Sequence, residues 1–150
     1  MQETSQVATQ PRISREFTFP GDLESMVAAR QALMSFIAPY CSSEIEEIDI
    51  FVALQEALAN AVLHGCQNDS SKTIYCSVEI DPGAFTIIIR DPGPGFDVDA
   101  AMQSTEAGAN TTTHGRGIRL IRSLMDEVAY RNGGSEVQLR KSRAAASSVA

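Results

Sequence analysis

Positive charge is scarce in this chain. Against 19 Asp and Glu stand 12 Lys and Arg, giving a net charge of −7 over 150 residues. A nucleic-acid or anionic-membrane surface needs a basic patch, and the nearest approach is Arg140-Lys141-Ser142-Arg143, beside a tail of small residues. Both partner classes are thereby disfavoured. Any phosphate ligand must be held locally, by backbone amides and a metal, not by the overall field. Cysteine is sparse too. Cys41, Cys66 and Cys76 are odd in number and lack metal-ligand spacing, so they read as reduced thiols. No apolar run reaches the roughly 18 residues of a membrane span, and Met1 to Arg12 lacks the apolar stretch of a signal peptide. The expected location is the cytoplasm. No internal repeat is present.

What remains is the composition of one soluble domain, 43% hydrophobic and 21% charged, long enough to bury a core without staples. Residues 1–12 read as a disordered arm and 142–150 as a disordered tail, leaving a folded domain at 13–141. Arg15 to Phe19 alternates and stops at Pro20-Gly21, as a short strand does. Asp22 stands where it can cap an amphipathic helix through about Ala38. Ser43 and Glu46 have capping-box spacing ahead of a second helix, from about Glu44 to Cys66, with Gly65 at its C-terminus. Period-two patterning predicts strands at Thr73 to Ile80 and Ala84 to Arg90 around the turn Asp81-Pro82-Gly83, the second of them central. A short helix at Asp97 to Gln103, a polar loop at Ser104 to Thr113 and a helix from Gly115 to about Met125 follow. Glu127 to Arg131 and Ser135 to Arg140 close the chain as a hairpin across Asn132-Gly133-Gly134. Helices early and hairpins late predict an α+β fold, a two-layer sandwich with helices on one face of a mixed, mostly antiparallel sheet.

The stretch from Leu54 to Gly65 carries polar groups that a purely structural helix would not want. At 100° per residue, Ile50, Phe51, Leu54, Leu58, Ala61 and Val62 share one side, while Glu56 and Asn60 sit together on the other with His64 a turn further on. Other apolar residues flank that second side, so the helix should be covered on both faces. A carboxylate there must face a cleft, a ligand or a metal, because burying it unpaired is costly. On spacing alone, a hydrogen-bonded Glu-Asn pair inside a bundle is an equally good reading. Functionally, an Asn oxygen suits a hard cation such as Mg²⁺, and a carboxylate one turn away can accept a proton from a hydroxyl. His64 reads as structural, and Arg119 with Arg122 as a solvated face.

Two glycine clusters follow. Asp91-Pro92-Gly93-Pro94-Gly95 is a turn by its composition, yet its glycines also let a backbone approach a ligand closely, and an Asp at a strand end can accept from the exocyclic amine of a base. His114-Gly115-Arg116-Gly117 is a hinge by composition, yet a helix N-terminus also favours phosphate. It is neither a P-loop nor a dinucleotide fingerprint. Each cluster is weak alone.

Taken in order, E-x-x-x-N-x-x-x-H-G, D-x-G-x-G, a small polar loop and G-x-G opening a helix closely resemble the GHKL ATPase superfamily, whose members include histidine-kinase catalytic domains. Within it the chain is similar to the small bacterial anti-sigma factor serine/threonine kinases, over roughly Phe17 to Arg140. That resemblance implies a Bergerat-type ATP-binding fold, with ATP and Mg²⁺ as cofactors. Position by position, it implies Glu56 as general base and Asn60 as the metal ligand. It further implies that Asp91 reads the adenine amino group, that Gly93 and Gly95 shape the base pocket, and that Gly115 and Gly117 admit phosphate to the amides. Ser104 to His114 would be the lid. Some relatives carry a basic residue just before the second glycine cluster. Here Thr111-Thr112-Thr113-His114 stands there instead, leaving Arg116 as the nearest fixed cation.

The implied activity is phosphorylation of a seryl or threonyl hydroxyl on an anti-anti-sigma partner of STAS type, together with sequestration of a sigma factor. A non-catalytic module in which ATP or ADP gates partner binding uses the same binding groups. The family commonly pairs through a sheet edge and its first helix, so a homodimer through the Arg15 to Phe19 strand is a further expectation.

Overall fold

The computed structural model describes residues 12–106 and 113–143. Five strands form one sheet: β1 (Ile13–Gly21), β2 (Asp69–Ile80), β3 (Ala84–Arg90), β4 (Glu127–Arg131) and β5 (Glu136–Ser142). Their order is β1-β2-β3-β5-β4, which puts β3 in the middle. All four pairings are antiparallel, so among the described residues the sheet has no parallel component. Each neighbouring pair is a hairpin or is joined through helices that return the chain in the opposite sense.

Alternation decides which face is buried. On β2, Ile74, Cys76, Val78 and Ile80 are buried and the residues between them are not; Phe85, Ile87 and Ile89 on β3 and Val137 and Leu139 on β5 continue the same face. The register lines these side chains into rows. One row runs Phe17, Cys76, Ile89, Val137, Tyr130 across all five strands. The opposite face is laced with surface pairs such as Arg131 with Gln138 and Arg140 with Glu127, the pattern of a solvated sheet face.

Four helices accompany the sheet: α1 (Leu23–Ile37), α2 (Glu44–Asn60), α3 (Val98–Glu106) and α4 (Thr113–Leu124). Ala29, Leu33 and Ile37 of α1, Ile50, Leu54 and Leu58 of α2, and Ile121 of α4 pack with the buried sheet face into one core. Ser43 caps α2 as its spacing predicts, accepting from the Glu46 amide at 3.1 Å. The return contact is displaced by one residue, because Glu46 accepts from the Ser42 amide at 2.8 Å. Asp22 does precede α1 but makes no cap with its side chain; Asn68 supplies it instead, accepting from the Leu23 amide at 2.8 Å from 45 positions away. The long helix is also not covered all round. Ile45, Ile48 and Phe51 of α2 are 73%, 57% and 39% exposed, while Ala53 and Ala57 take the buried places beside Ile50 and Leu54. Small alanines, not the aromatic, let α2 approach its neighbours.

Several boundaries move. β1 and β2 are longer than their alternating stretches, because edge pairing carries them through Ser14 and Asp69. The helix expected to open at Gly115 begins at Thr113. Residues 1–11, 107–112 and 144–150, which hold most of the expected arm, lid and tail, lie outside the described residues.

Candidate functional site

The last turn of the long helix is not α-helical. After Asn60 the backbone widens into a π turn over Ala61–Gly65, with the Cys66 amide bonding the Ala61 carbonyl at 2.8 Å. Wide turns of this kind cluster at functional sites because they re-aim side chains. Gln67 and Asn68 then reverse the chain with φ of 55° each. Gly65 itself has no positive φ, so the reason for a glycine there is not the helix-end conformation its position suggests. The reason is space. A Cβ on Gly65 would lie 2.1 Å from the carboxyl carbon of Asp91, and one on Gly93 would lie 2.5 Å from the Gly65 carbonyl oxygen.

Asp91 closes β3, and its backbone amide bonds the Ser135 carbonyl at 2.9 Å. Its side chain accepts from the Gly93 amide at 2.8 Å, an Asx turn that fixes the carboxylate beside Gly65. Burial pushes the Asp91 pKa up, and the Gly93 hydrogen bond partly offsets this. The loop after it is stitched to the β4–β5 turn: Phe96 donates to the Gly133 carbonyl at 2.8 Å. Gly95, at φ +81°, leaves room for a Cβ only 2.1 Å from the Gly133 oxygen. No side chain fits there.

Between α2, this loop and the sheet lies a cleft, open to solvent on one side, that encloses about 30 Å³. Ala57, Asn60, Ala61 and His64 line it from the helix, Asp91 and Gly95 from the loop. Its floor is the sheet row Ile89, Val137, Tyr130, and Phe96 and Ser135 close the far side. The lining joins apolar side chains with a few polar groups at the edges, the make-up of a small-molecule site. Asn60 is common to this cleft and to a second cluster. A Cβ on Gly117 would lie 3.0 Å from Glu56 Oε1 and 3.7 Å from Asn60 Oδ1, so α4 rests against the Glu56-Asn60 stripe. Glu56 does not line the cleft. Gly115 is buried and Arg116 exposed in the first turn of α4.

Thus Asn60, Asp91 and Gly95 meet at the cleft, Gly93 backs Asp91 from Gly65, and Glu56 joins Asn60 at Gly117. Gly115 and Arg116 stand apart from the cleft lining. Among the described residues, no three His, Cys, Asp or Glu side chains gather into a metal site. Sequence reasoning passed over Phe96, Tyr130, Ser135 and the turn glycines. Phe96 carried a signal, an aromatic directly after a glycine cluster; Tyr130 carried none, since its place depends on register alone. His64, which reads as structural from the sequence, has its exposed side chain at the cleft.

The histidine kinase-like ATPase domain family matches residues 19–141. The chain is 30% identical over 128 residues to the anti-sigma F factor of Geobacillus thermodenitrificans (strain NG80-2), across 82% of this chain and 88% of that protein. It is 32% identical over 118 residues to the anti-sigma F factor of Anoxybacillus flavithermus (strain DSM 21510 / WK1), across 75% and 81%. The anti-sigma F factor of Priestia megaterium is 32% identical over 103 residues, across 67% and 70%. The match spans every element that builds the cleft from α1 to β5, and by it this chain belongs to the histidine kinase-like ATPase domain family, together with the anti-sigma F factors.

Proposed function

We propose that this chain is a cytoplasmic anti-sigma factor that binds ATP with Mg²⁺ and phosphorylates a serine or threonine on a STAS-type anti-anti-sigma partner. The observation that carries the reading is the adjacency of two clusters through one residue: Asn60 lines the cleft with Asp91 and also stands beside Glu56 at Gly117. A base in the cleft and a triphosphate running toward α4 would span those two clusters. Asp91, half-buried with one oxygen held by Gly93, keeps acceptor capacity for an exocyclic amine. Gly65, Gly93 and Gly95 let the helix end, the loop and the β4–β5 turn close on one another, which holds the Asp91 carboxylate at the cleft.

The residues present also fit a magnesium ion. A hard cation that keeps several waters needs one or two protein oxygens beside phosphate oxygens, and Asn60 Oδ1 offers one at the cleft edge. When bound, the cation supplies charge neutralisation for the transferring phosphoryl group. Glu56 accepts the proton of the attacking hydroxyl as its oxygen bonds the γ-phosphorus. The bond to the β,γ-bridging oxygen breaks, and ADP leaves with that oxygen. Phosphoryl transfer demands positioning and charge compensation more than covalent help. Glu56 held against α4 and Asn60 held at the cleft meet that demand. Sequestration of a sigma factor is the companion activity, and pairing of two copies along the β1 edge is the assembly that goes with it.

The test is transfer of labelled γ-phosphate to a cognate STAS protein by wild type and by Glu56→Ala. Loss of a positioned base costs roughly 10²–10⁴ in rate, so the variant should transfer at least about a hundred-fold more slowly while still binding ATP. Equal rates would remove Glu56 as the base. Tight ATP binding by wild type with no transfer to any STAS partner would leave a nucleotide-gated binding module in place of a kinase.

A further inference from the structure

One buried polar atom, on a residue of the cleft wall, is not used by the chemistry above. Tyr130 lies opposite Val137 in the β4–β5 pairing, and Val137 lies opposite Ile89 on β3. The tyrosine ring therefore prolongs the apolar floor on which a base would lie. Phe96 meets that ring edge-on, with centroids 5.7 Å apart and planes at 79°, which holds it in place from the glycine-loop side. The phenol oxygen is enclosed, yet it has no hydrogen-bond partner among the described residues. Buried tyrosine hydroxyls ordinarily find one. Burial pushes the Tyr130 pKa up to about 12, with Arg122 pulling weakly the other way, so the group is a neutral O–H able to donate or accept. A phenylalanine would fill the same space, complete the same row and make the same contact with Phe96 without stranding a polar atom. Among the described residues, nothing in the packing calls for the oxygen.

We propose that Tyr130 is a specificity-determining residue of the nucleotide site, its hydroxyl hydrogen-bonding a ring nitrogen of the base whose exocyclic amine faces Asp91. The inference rests on the nucleotide reading above and adds a second polar contact at the edge of the base, in the ring plane where the nitrogen lone pair lies. Asp91 accepts and Tyr130 donates, so the two together favour a base that offers an amine donor and a ring acceptor, which is the edge chemistry of adenine. The contact is satisfied only with ligand bound. It therefore contributes to affinity while costing the empty protein stability, and that opposition separates it from a structural role.

The experiment compares wild type, Tyr130→Phe and Asp91→Asn by calorimetric titration with ATP and with inorganic tripolyphosphate, and by thermal melting without ligand. The expected result is that Tyr130→Phe binds ATP about ten-fold more weakly, the usual size of one lost hydrogen bond. It should bind tripolyphosphate, which has no base, as wild type does, and should melt no lower than wild type. ATP affinity equal to wild type in Tyr130→Phe overturns the inference. So does an equal loss with ATP and tripolyphosphate, or a lower melting temperature, because either makes the residue structural. Asp91→Asn is the control for the reading underneath. If wild type itself does not bind ATP, or Asp91→Asn binds it unchanged, the base site falls first and takes the inference with it.

Discussion

Gly65 and Asp91 are pressed together so closely that any side chain on the first would occupy the position of the second: a Cβ on Gly65 would meet the Asp91 carboxyl carbon at 2.1 Å and both its oxygens within 2.4 Å. Twenty-six positions apart, they depend on each other. Gly65→Ala must displace the carboxylate or the π turn, and the Gly93 hydrogen bond opposes the first. The expected outcome is a loss of about 1–3 kcal/mol in stability, the usual cost of overpacking, with ATP affinity down by more than about ten-fold. Denaturant unfolding and calorimetric titration measure the two. A variant that binds ATP like wild type would show that the Asp91 position is not what the cleft requires.

Asp91 makes stability and binding respond oppositely to charge. Its pKa is raised by burial and only partly restored by the Gly93 amide. A raised acid binds its proton more tightly folded than unfolded, so its stabilising contribution is present below the unfolded pKa and is lost as pH rises through the folded one. At neutral pH the ionised group therefore costs stability. Asp91→Asn should melt higher than wild type at pH 7, and the gap should close as pH falls below the ordinary carboxylate range. ATP affinity should fall about ten- to a hundred-fold, since a hydrogen bond to a charged acceptor is worth roughly 1.5–3 kcal/mol. Wild-type affinity should decline in acid at a pH above that range, and the variant should lack that step. Melting curves and titrations across pH test both halves.

Gly117 offers a way to disturb Glu56 without touching it. A Cβ there lies 3.0 Å from Glu56 Oε1, tight enough that the flexible end of the glutamate must shift. Alanine is also the better residue inside a helix by roughly 0.5–1 kcal/mol. Gly117→Ala should therefore hold or slightly raise the melting temperature and, at saturating ATP, slow phosphoryl transfer by about ten-fold through misplacement of the base. Unaltered transfer would mean that Glu56 tolerates displacement and does not act at a fixed position.

Much of this fold is legible in the chain because its signals are local. Period-two alternation marks Ala84 to Arg90 as a strand, and the Ser43-Glu46 spacing marks the start of α2; the structure has both. Helix spacing alone puts Glu56 and Asn60 on one stripe. Where a signal needs a partner far along the chain, it misleads. Asp22 looks like the cap of α1, but Asn68 reaches the Leu23 amide and Asp22 does not cap it. Phe51 looks like core, but the alanines beside it allow closer packing and the ring is left outward, stacked with Arg30 at 4.7 Å.

The sequence by itself therefore determined the α+β class, the order of the elements and the polar stripe of α2, because periodicity and capping are set by residues within a few positions of each other. Only the tertiary structure decided what those parts enclose. The antiparallel register carries Tyr130 into line with Val137 and Ile89, the β4–β5 turn is stitched to the loop after Asp91, and the π turn brings Gly65 against that carboxylate. Each of these joins segments that no local pattern connects. Sheet register and steric exclusion at glycines select among the contacts that hydrophobic burial alone would permit.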